Sequence, residues 1–262
     1  MLSVIIPAYK SPDHLKICID SLLMGLRHQQ RVQVILVFDG HSDLYDGVIP
    51  HSDCIEIIDL PVNKGMAYAI NVGVSAALYK NVLIINEDNV FPMQWDVPLI
   101  HDLCIGNTSN DTCFTINQIE PGKSIYDFIN YDLGKTPKEF NYHEFVKYEE
   151  SKRAPNGPNL FRIHDYGGGI FPFLINKKHF MMVGGFDTLY PNAYIVDWDF
   201  FLKLELAGVK LHKYNGIALY HFVGSSEKEL EIKRQEQEVL SSRTYLYKWG
   251  HVPIRDKITN SH

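Results

Sequence analysis

At 262 residues, with 45% hydrophobic and 12% aromatic content, the chain holds enough apolar material for one sizeable core. A formal charge of −6, from 25 Lys+Arg against 31 Asp+Glu, argues against a broad electrostatic footprint for nucleic acid. Cysteines at 18, 54, 104 and 113 lack C-x-x-C spacing and any zinc pattern, the N-terminus lacks a basic leader, and no stretch approaches the roughly 20 apolar residues of a membrane span. The expectation is a cytoplasmic protein with reduced thiols and no transmembrane segment, with peripheral membrane contact left open.

The first half alternates strands and helices. "LSVII" (2–6) reads as a buried strand closed by Pro7, and 11–26 places Leu15, Ile19, Leu22, Leu23 and Leu26 at helical spacing. "VQVILVF" (32–38) is a β-branched run ending at Asp39-Gly40, and "CIEIIDL" (54–60) is a further strand. An alanine-rich helix is expected over 63–79, followed by a strand over 81–86. Such an order implies an α/β fold, a mostly parallel sheet flanked by helices, whose ligands bind beyond the carboxyl ends of the strands. Pro7-Ala8, Asp39-Gly40 and Glu87-Asp88 all lie at such ends.

The second half is less regular. A strand is expected over 111–119, and 120–165 is polar and aromatic. Within it, 151–169 is rich in Pro, Gly and Asn and carries Arg153, Arg162 and His164, which reads as a loop that orders over bound ligand. A strand over 170–176 and a turn over 183–190 follow. A helix capped by Asp197 spans 197–208, then come two short strands, "VKLHKY" and "GIALYHF", and a charged helix over 225–250.

The candidate functional residues lie at these strand and helix ends. Adjacent carboxylates at 87 and 88 repel and need a metal ion, a basic side chain or water to compensate them. "EDN" also has good turn composition, but its place at a strand end favours a site for Mg²⁺ or Mn²⁺, hard cations that prefer carboxylate oxygen. Asp39 either caps an Asp-Gly turn or accepts a hydrogen bond from a base or ribose. Asn63 and Gly65 begin a helix whose N-terminus could meet phosphate. Asp197 and Asp199 flank Trp198 where capping and dipole effects alone would explain them, and a lone His221 at a strand end is unremarkable.

Their joint order along the chain resembles the family 2 glycosyltransferases of GT-A fold. The carrying segments are "SVIIPAY" (3–9), "VILVFDGHSD" (34–43), "NKGMAYAINVG" (63–73), "LIINEDNV" (83–90), "GGGIFPFLINKKHFMMVGGFD" (167–187), "VDWDFFLKLELAG" (196–208) and "YHFVGSS" (220–226). "YLYKWG" (245–250) resembles a common ending in that family. The resemblance implies a single GT-A domain with a nucleotide-binding half (1–92), an acceptor-binding half (93–224) and a helical tail (225–262). Its implied function is inverting transfer of one sugar from a nucleotide-diphosphate sugar, with UDP favoured, to an acceptor hydroxyl on a glycan.

By position, the resemblance implies that Asp39 contacts the base beside a wall of Pro7, Ala8 and Tyr9, with Asn63 and Gly65 near the nucleotide. It makes Asp88 a ligand of Mn²⁺ or Mg²⁺, with Glu87 near the ribose or the metal's waters and His221 as another metal ligand. Asp197 is implied as the general base, and Gly167, Gly168, Gly169 and Trp198 as the border of the donor-sugar and acceptor pocket. Three departures stand out: Glu87 where the family usually has aspartate, Phe38 in place of the first of two acids, and Val196 before Asp197 where an acid is common. The Q-x-x-R-W motif of processive synthases is absent. A nucleotidylyltransferase would carry a Gly-rich, Arg-containing loop where "PAYKSPDH" stands, and a non-catalytic nucleotide-sugar-binding module would need no Asp197.

Overall fold

The computed structural model describes residues 1–105, 111–122, 128–153, 160–162, 171–191, 193–222 and 231–252. β2 (Val32–Asp39) is buried at every position, as expected of a central strand covered on both faces. β1 (Leu2–Ala8) lies between β2 and β4 (Asn81–Ile84) and is parallel to both, while β3 (Ile55–Leu60) flanks β2 in parallel. β4 pairs antiparallel with β9 (Phe173–Asn176), and β9 pairs antiparallel with β6 (Thr112–Glu120). β6 runs parallel to β10 (Lys210–His221), whose end pairs antiparallel with β5 (Asn89–Val90). Two further strands, β7 (Ile129–Asn130) and β8 (Leu160–Arg162), pair with β6 and β10. The result is a mixed, mostly parallel sheet with order β3-β2-β1-β4-β9-β6-β10-β5.

Alternation along the strands divides the core in two. Leu2, Val4, Ile6, Val34 and Leu36 face α1 (Pro12–Gly25) and α3 (Asp96–Ile105), meeting Leu15, Ile19, Leu22, Trp95 and Leu99. Ile5, Ile35 and Val37 face the other way, joining a core that includes α2 (Met66–Ala76), α5 (Lys177–Met182) and the phenylalanines of α6 (Val196–Leu206). α2 approaches the sheet so closely that a Cβ on Gly73 would lie 2.5 Å from Ile5 Cγ2. That contact explains the small-residue face of this helix.

Several expectations are corrected. The two short strands near the C-terminus form one, β10, because a register shift between Tyr214 and Ala218 absorbs Asn215, Gly216 and Ile217 without ending its pairing with β6. The helix expected over 63–79 begins at Met66, leaving Asn63, Lys64 and Gly65 in the turn before it. α6 is capped not by Asp197 but by Ile195 in the left-handed conformation, so Asp197 sits inside the first turn. α4 (Tyr142–Lys152) lies within the stretch read as irregular and covers a third cluster containing Phe145, Tyr220 and Phe222. The closing helix, α7, runs over Glu231–Trp249.

Candidate active site

The carboxyl ends of β1, β2 and β4 carry the first group of candidates. Asp39 ends β2 and is 3% exposed. Its carboxylate accepts from the backbone N–H of Lys64 at 2.6 Å and of Gly65 at 2.8 Å, so it pins the turn that leads into α2. Gly40 follows with φ +77, where a Cβ would lie 2.8 Å from the Asn63 nitrogen. Asn63 itself is exposed, Pro7 is half-buried and Ala8 is buried.

Glu87 reaches back to the end of β1, accepting from the Tyr9 N–H at 3.0 Å and from the Tyr45 hydroxyl at 3.3 Å. Burial, assisted by the neighbouring Asp88 charge and opposed by the Tyr9 N–H, pushes its carboxyl up to about 8. The Tyr45 ring stacks on Phe38, with centroids 4.6 Å apart and planes 9° from parallel. Two of the sequence departures, Phe38 and Glu87, are therefore joined through Tyr45. Val196, the third, is fully buried in the core, where an acid would carry a desolvation cost.

Backbone pairing brings the metal-ligand candidates together. β5 immediately follows Asp88 and pairs with the end of β10, placing His221 opposite Asn89 and Tyr220 opposite Val90. The Phe222 N–H donates to the Asp88 carbonyl at 3.2 Å. In consequence His221 Nε2 stands 3.5 Å from Asp88 Oδ2, although the residues are far apart in sequence. The other ring nitrogen, Nδ1, lies 2.8 Å from Glu120 Oε1 at the end of β6. Burial opposes a charge on this imidazole, but the Asp88 and Glu120 carboxylates outweigh it and raise its pKa to about 10.

Sequence reasoning missed Glu120 and Tyr45. Glu120 had a usable signal, an acid ending the apolar run "TCFTINQIE" much as Glu87 follows the apolar run of β4. Tyr45, in a polar turn, had none.

The remaining candidates separate. Asp197 is half-buried in the first turn of α6, and its Oδ1 accepts from the Trp198 N–H at 3.0 Å. Trp198, expected at the sugar pocket, is 9% exposed and belongs to the core cluster that α6 shares with α2 and α5. Asp199 is fully buried and accepts from the Tyr190 hydroxyl, Trp249 Nε1 and Lys248 Nζ. Arg153, expected in a ligand-closing loop, terminates α4 and pairs with buried Glu149 at 2.7 Å. Gly167, Gly168, Gly169 and His164 lie outside the described residues, as does most of that loop.

The model of glycosyl transferase family 2 matches residues 3–174. The chain belongs to glycosyltransferase family 2. The match takes in Asp39, Glu87, Asp88 and Glu120, while Asp197 and His221 lie beyond it. A minor teichoic acid biosynthesis protein, GgaA of Bacillus subtilis (strain 168), is 24% identical over 261 residues, covering 95% of this chain and 50% of GgaA. The family 2 chain thus spans about half the length of that relative. Among solved structures, the mannosyltransferase PcManGT from Pyrobaculum calidifontis, in complex with GDP-Man and Mn²⁺, superposes with a TM-score of 0.63 at 14% identity, over 96% of this chain and 65% of that one. GalNAc-T7 with UDP, GalNAc and Mn²⁺ gives 0.61 at 15% identity, over 84% of this chain and 43% of that one. These likenesses establish the GT-A fold. Among the described residues of the family 2 chain, no helix is long and apolar enough to cross a membrane.

Proposed function

We propose that this family 2 domain is an inverting glycosyltransferase that moves a single sugar from a nucleotide-diphosphate sugar, with UDP as the favoured nucleotide, to an acceptor hydroxyl on a glycan. The observation that carries the reading is the Asp88–His221 pair, 3.5 Å apart at the carboxyl edge of the sheet, where α/β folds bind their ligands. Mn²⁺ or Mg²⁺ is implied there, and the donor chemistry fits. One carboxylate oxygen and one imidazole nitrogen suit Mn²⁺ especially, and no group of three His, Cys, Asp or Glu side chains among the described residues completes a protein-only cage. Asp88 and His221 would hold the cation, leaving its other positions to diphosphate oxygens. When bound, it supplies the positive charge that stabilises a departing nucleoside diphosphate.

The chain's own residues supply the other functions. Asp39, at the end of β2, has lone pairs beyond those given to Lys64 and Gly65, and accepts from a base imide such as the N3–H of uracil. Tyr9, 40% exposed beside it, offers a ring to the base. Asp197 takes the proton of the acceptor hydroxyl as that oxygen attacks the anomeric carbon from the face opposite the leaving group, which inverts the configuration. The UDP and GDP-Man held by the two solved relatives support a nucleotide-sugar donor and leave UDP and GDP as the first bases to compare. The test is a panel of UDP-, GDP- and CDP-sugars with Mn²⁺, read as release of nucleoside diphosphate and anomeric configuration of the product. Binding without turnover of any donor, with or without acceptor, would reduce the domain to a nucleotide-sugar-binding module.

A further inference from the structure

His221 has a carboxylate at each ring nitrogen, and the two contacts differ. Asp88 Oδ2 stands 3.5 Å from Nε2, whereas Glu120 Oε1 lies at hydrogen-bond distance, 2.8 Å, from Nδ1. Glu120 is 6% exposed, and the backbone places it there: it ends β6 one residue after Ile119, which pairs in parallel register with Tyr220, the residue before His221. An ionised carboxylate only accepts, so Nδ1 is the donor in this pair. With a cation in place of the Nε2 proton, the ring would keep its proton on Nδ1 and present the Nε2 lone pair on the side that faces Asp88.

We propose that Glu120 is a positioning residue that holds His221 as the Nδ1–H tautomer and aims its Nε2 lone pair at the cation shared with Asp88. The assignment rests on the cation reading of Asp88 and His221 given above. It adds a third strand to the site, so that the ends of β4, β6 and β10 act together. Outer carboxylates of this kind fix ring orientation and raise the basicity of the ligating nitrogen.

The experiment titrates Mn²⁺ alone into the folded protein, following free ion by electron paramagnetic resonance. Nitrogen coupling to the bound ion is then read with histidine ¹⁵N-labelled at Nε2 or at Nδ1. Glu120→Leu is expected to weaken Mn²⁺ binding by about 10–100-fold, whereas Glu120→Gln, whose amide oxygen still accepts from Nδ1, recovers most of the affinity. In the wild-type protein the coupling comes from Nε2, and coupling from Nδ1 would overturn the assignment without recourse to any variant. If His221→Ala weakens binding while Glu120→Leu binds as tightly as wild type, the cation reading stands and the role of Glu120 falls. If His221→Ala also keeps full affinity, the cation reading itself fails and this assignment fails with it.

Discussion

A carboxylate buried at a strand end needs donors, and Asp39 finds two in the backbone ahead of α2. It therefore fixes the turn that leads into α2. Asp39→Ala leaves two amides without their acceptor, a cost of about 1–3 kcal/mol for each one that stays buried. The melting temperature should fall by several degrees, since about 1 kcal/mol moves a chain of this size by roughly 2–4 °C. Donor KM should rise more than kcat falls, the pattern of a lost ground-state contact. Asp39→Asn keeps one oxygen and should fall between, and an unchanged melting temperature in Asp39→Ala would show that the amides are satisfied elsewhere. Tyr45→Phe is a milder probe. It keeps the stack on Phe38 but removes the hydroxyl from Glu87, so it should cost only about 0.5–1.5 kcal/mol in urea unfolding. The place of Asp39 at the end of β2 was legible in the sequence because Asp-Gly closes an apolar strand. Its hold on Lys64 and Gly65 was not, since a side-chain bond to a distant turn leaves no local pattern.

Among the elements, α6 and α7 are joined by the buried Asp199. Lys248 Nζ lies 2.8 Å from Asp199 Oδ1 and 2.6 Å from Asp187 Oδ2, and Trp249 Nε1 donates to Asp199 at 2.8 Å. The closing "YKWG" thus clamps the helix that carries Asp197 two residues earlier, about 200° around the axis. Asp197→Asn should slow transfer by about 10²–10⁴-fold, as loss of a general base does, with the melting temperature unchanged. Asp199→Asn should do the reverse, lowering stability while the folded fraction keeps its rate. Equal rates in both variants and wild type would make Asp197 a plain helix residue. Burial pushes the Asp187 carboxyl up, but the hydrogen bonds from Lys248 and the Leu189 N–H, together with the charges of Lys248 and Lys203, outweigh it and hold it below the ordinary carboxylate range. The stability from this pair is therefore present above about pH 4 and lost as pH falls through the lowered value. Lys248→Met should weaken that acid-side dependence, leaving the part that the Leu189 N–H and Lys203 supply, read from Trp249 fluorescence. α6 and α7 were legible because apolar or charged periodicity runs the length of each. α4 was not, because only Phe145 and Glu149 of its described side chains are buried. Its Asn141 cap, accepting from the Glu144 N–H, was the sign available, an N-cap followed three residues later by Glu.

Across the whole molecule, the site joins the parallel sheet of the first half to strands added by the second. β5 is only two residues long, yet its pairing with β10 sets His221 against Asp88. That long-range pairing explains what the sequence could and could not disclose. The acids at the end of β2 and just beyond β4 share a repeating strand–helix rhythm and stood out, His221 was named only through the family resemblance, and Glu120 meets them only through sheet order. The same pairing predicts how the protein responds to metal removal. Asp88 and His221 are held in place by backbone hydrogen bonds, so EDTA should leave the melting temperature of the nucleotide-free protein unchanged while abolishing transfer. Adding Mn²⁺ with UDP should then raise the melting temperature, since a ligand at about 100 times its Kd contributes roughly 2.7 kcal/mol. Asp88→Asn and His221→Ala should each lose most of that Mn²⁺-dependent increment, measured by scanning fluorimetry with and without EDTA. Full transfer in EDTA would remove the cation from the reaction and leave Asp88 and His221 as an ion pair that braces β5 against β10.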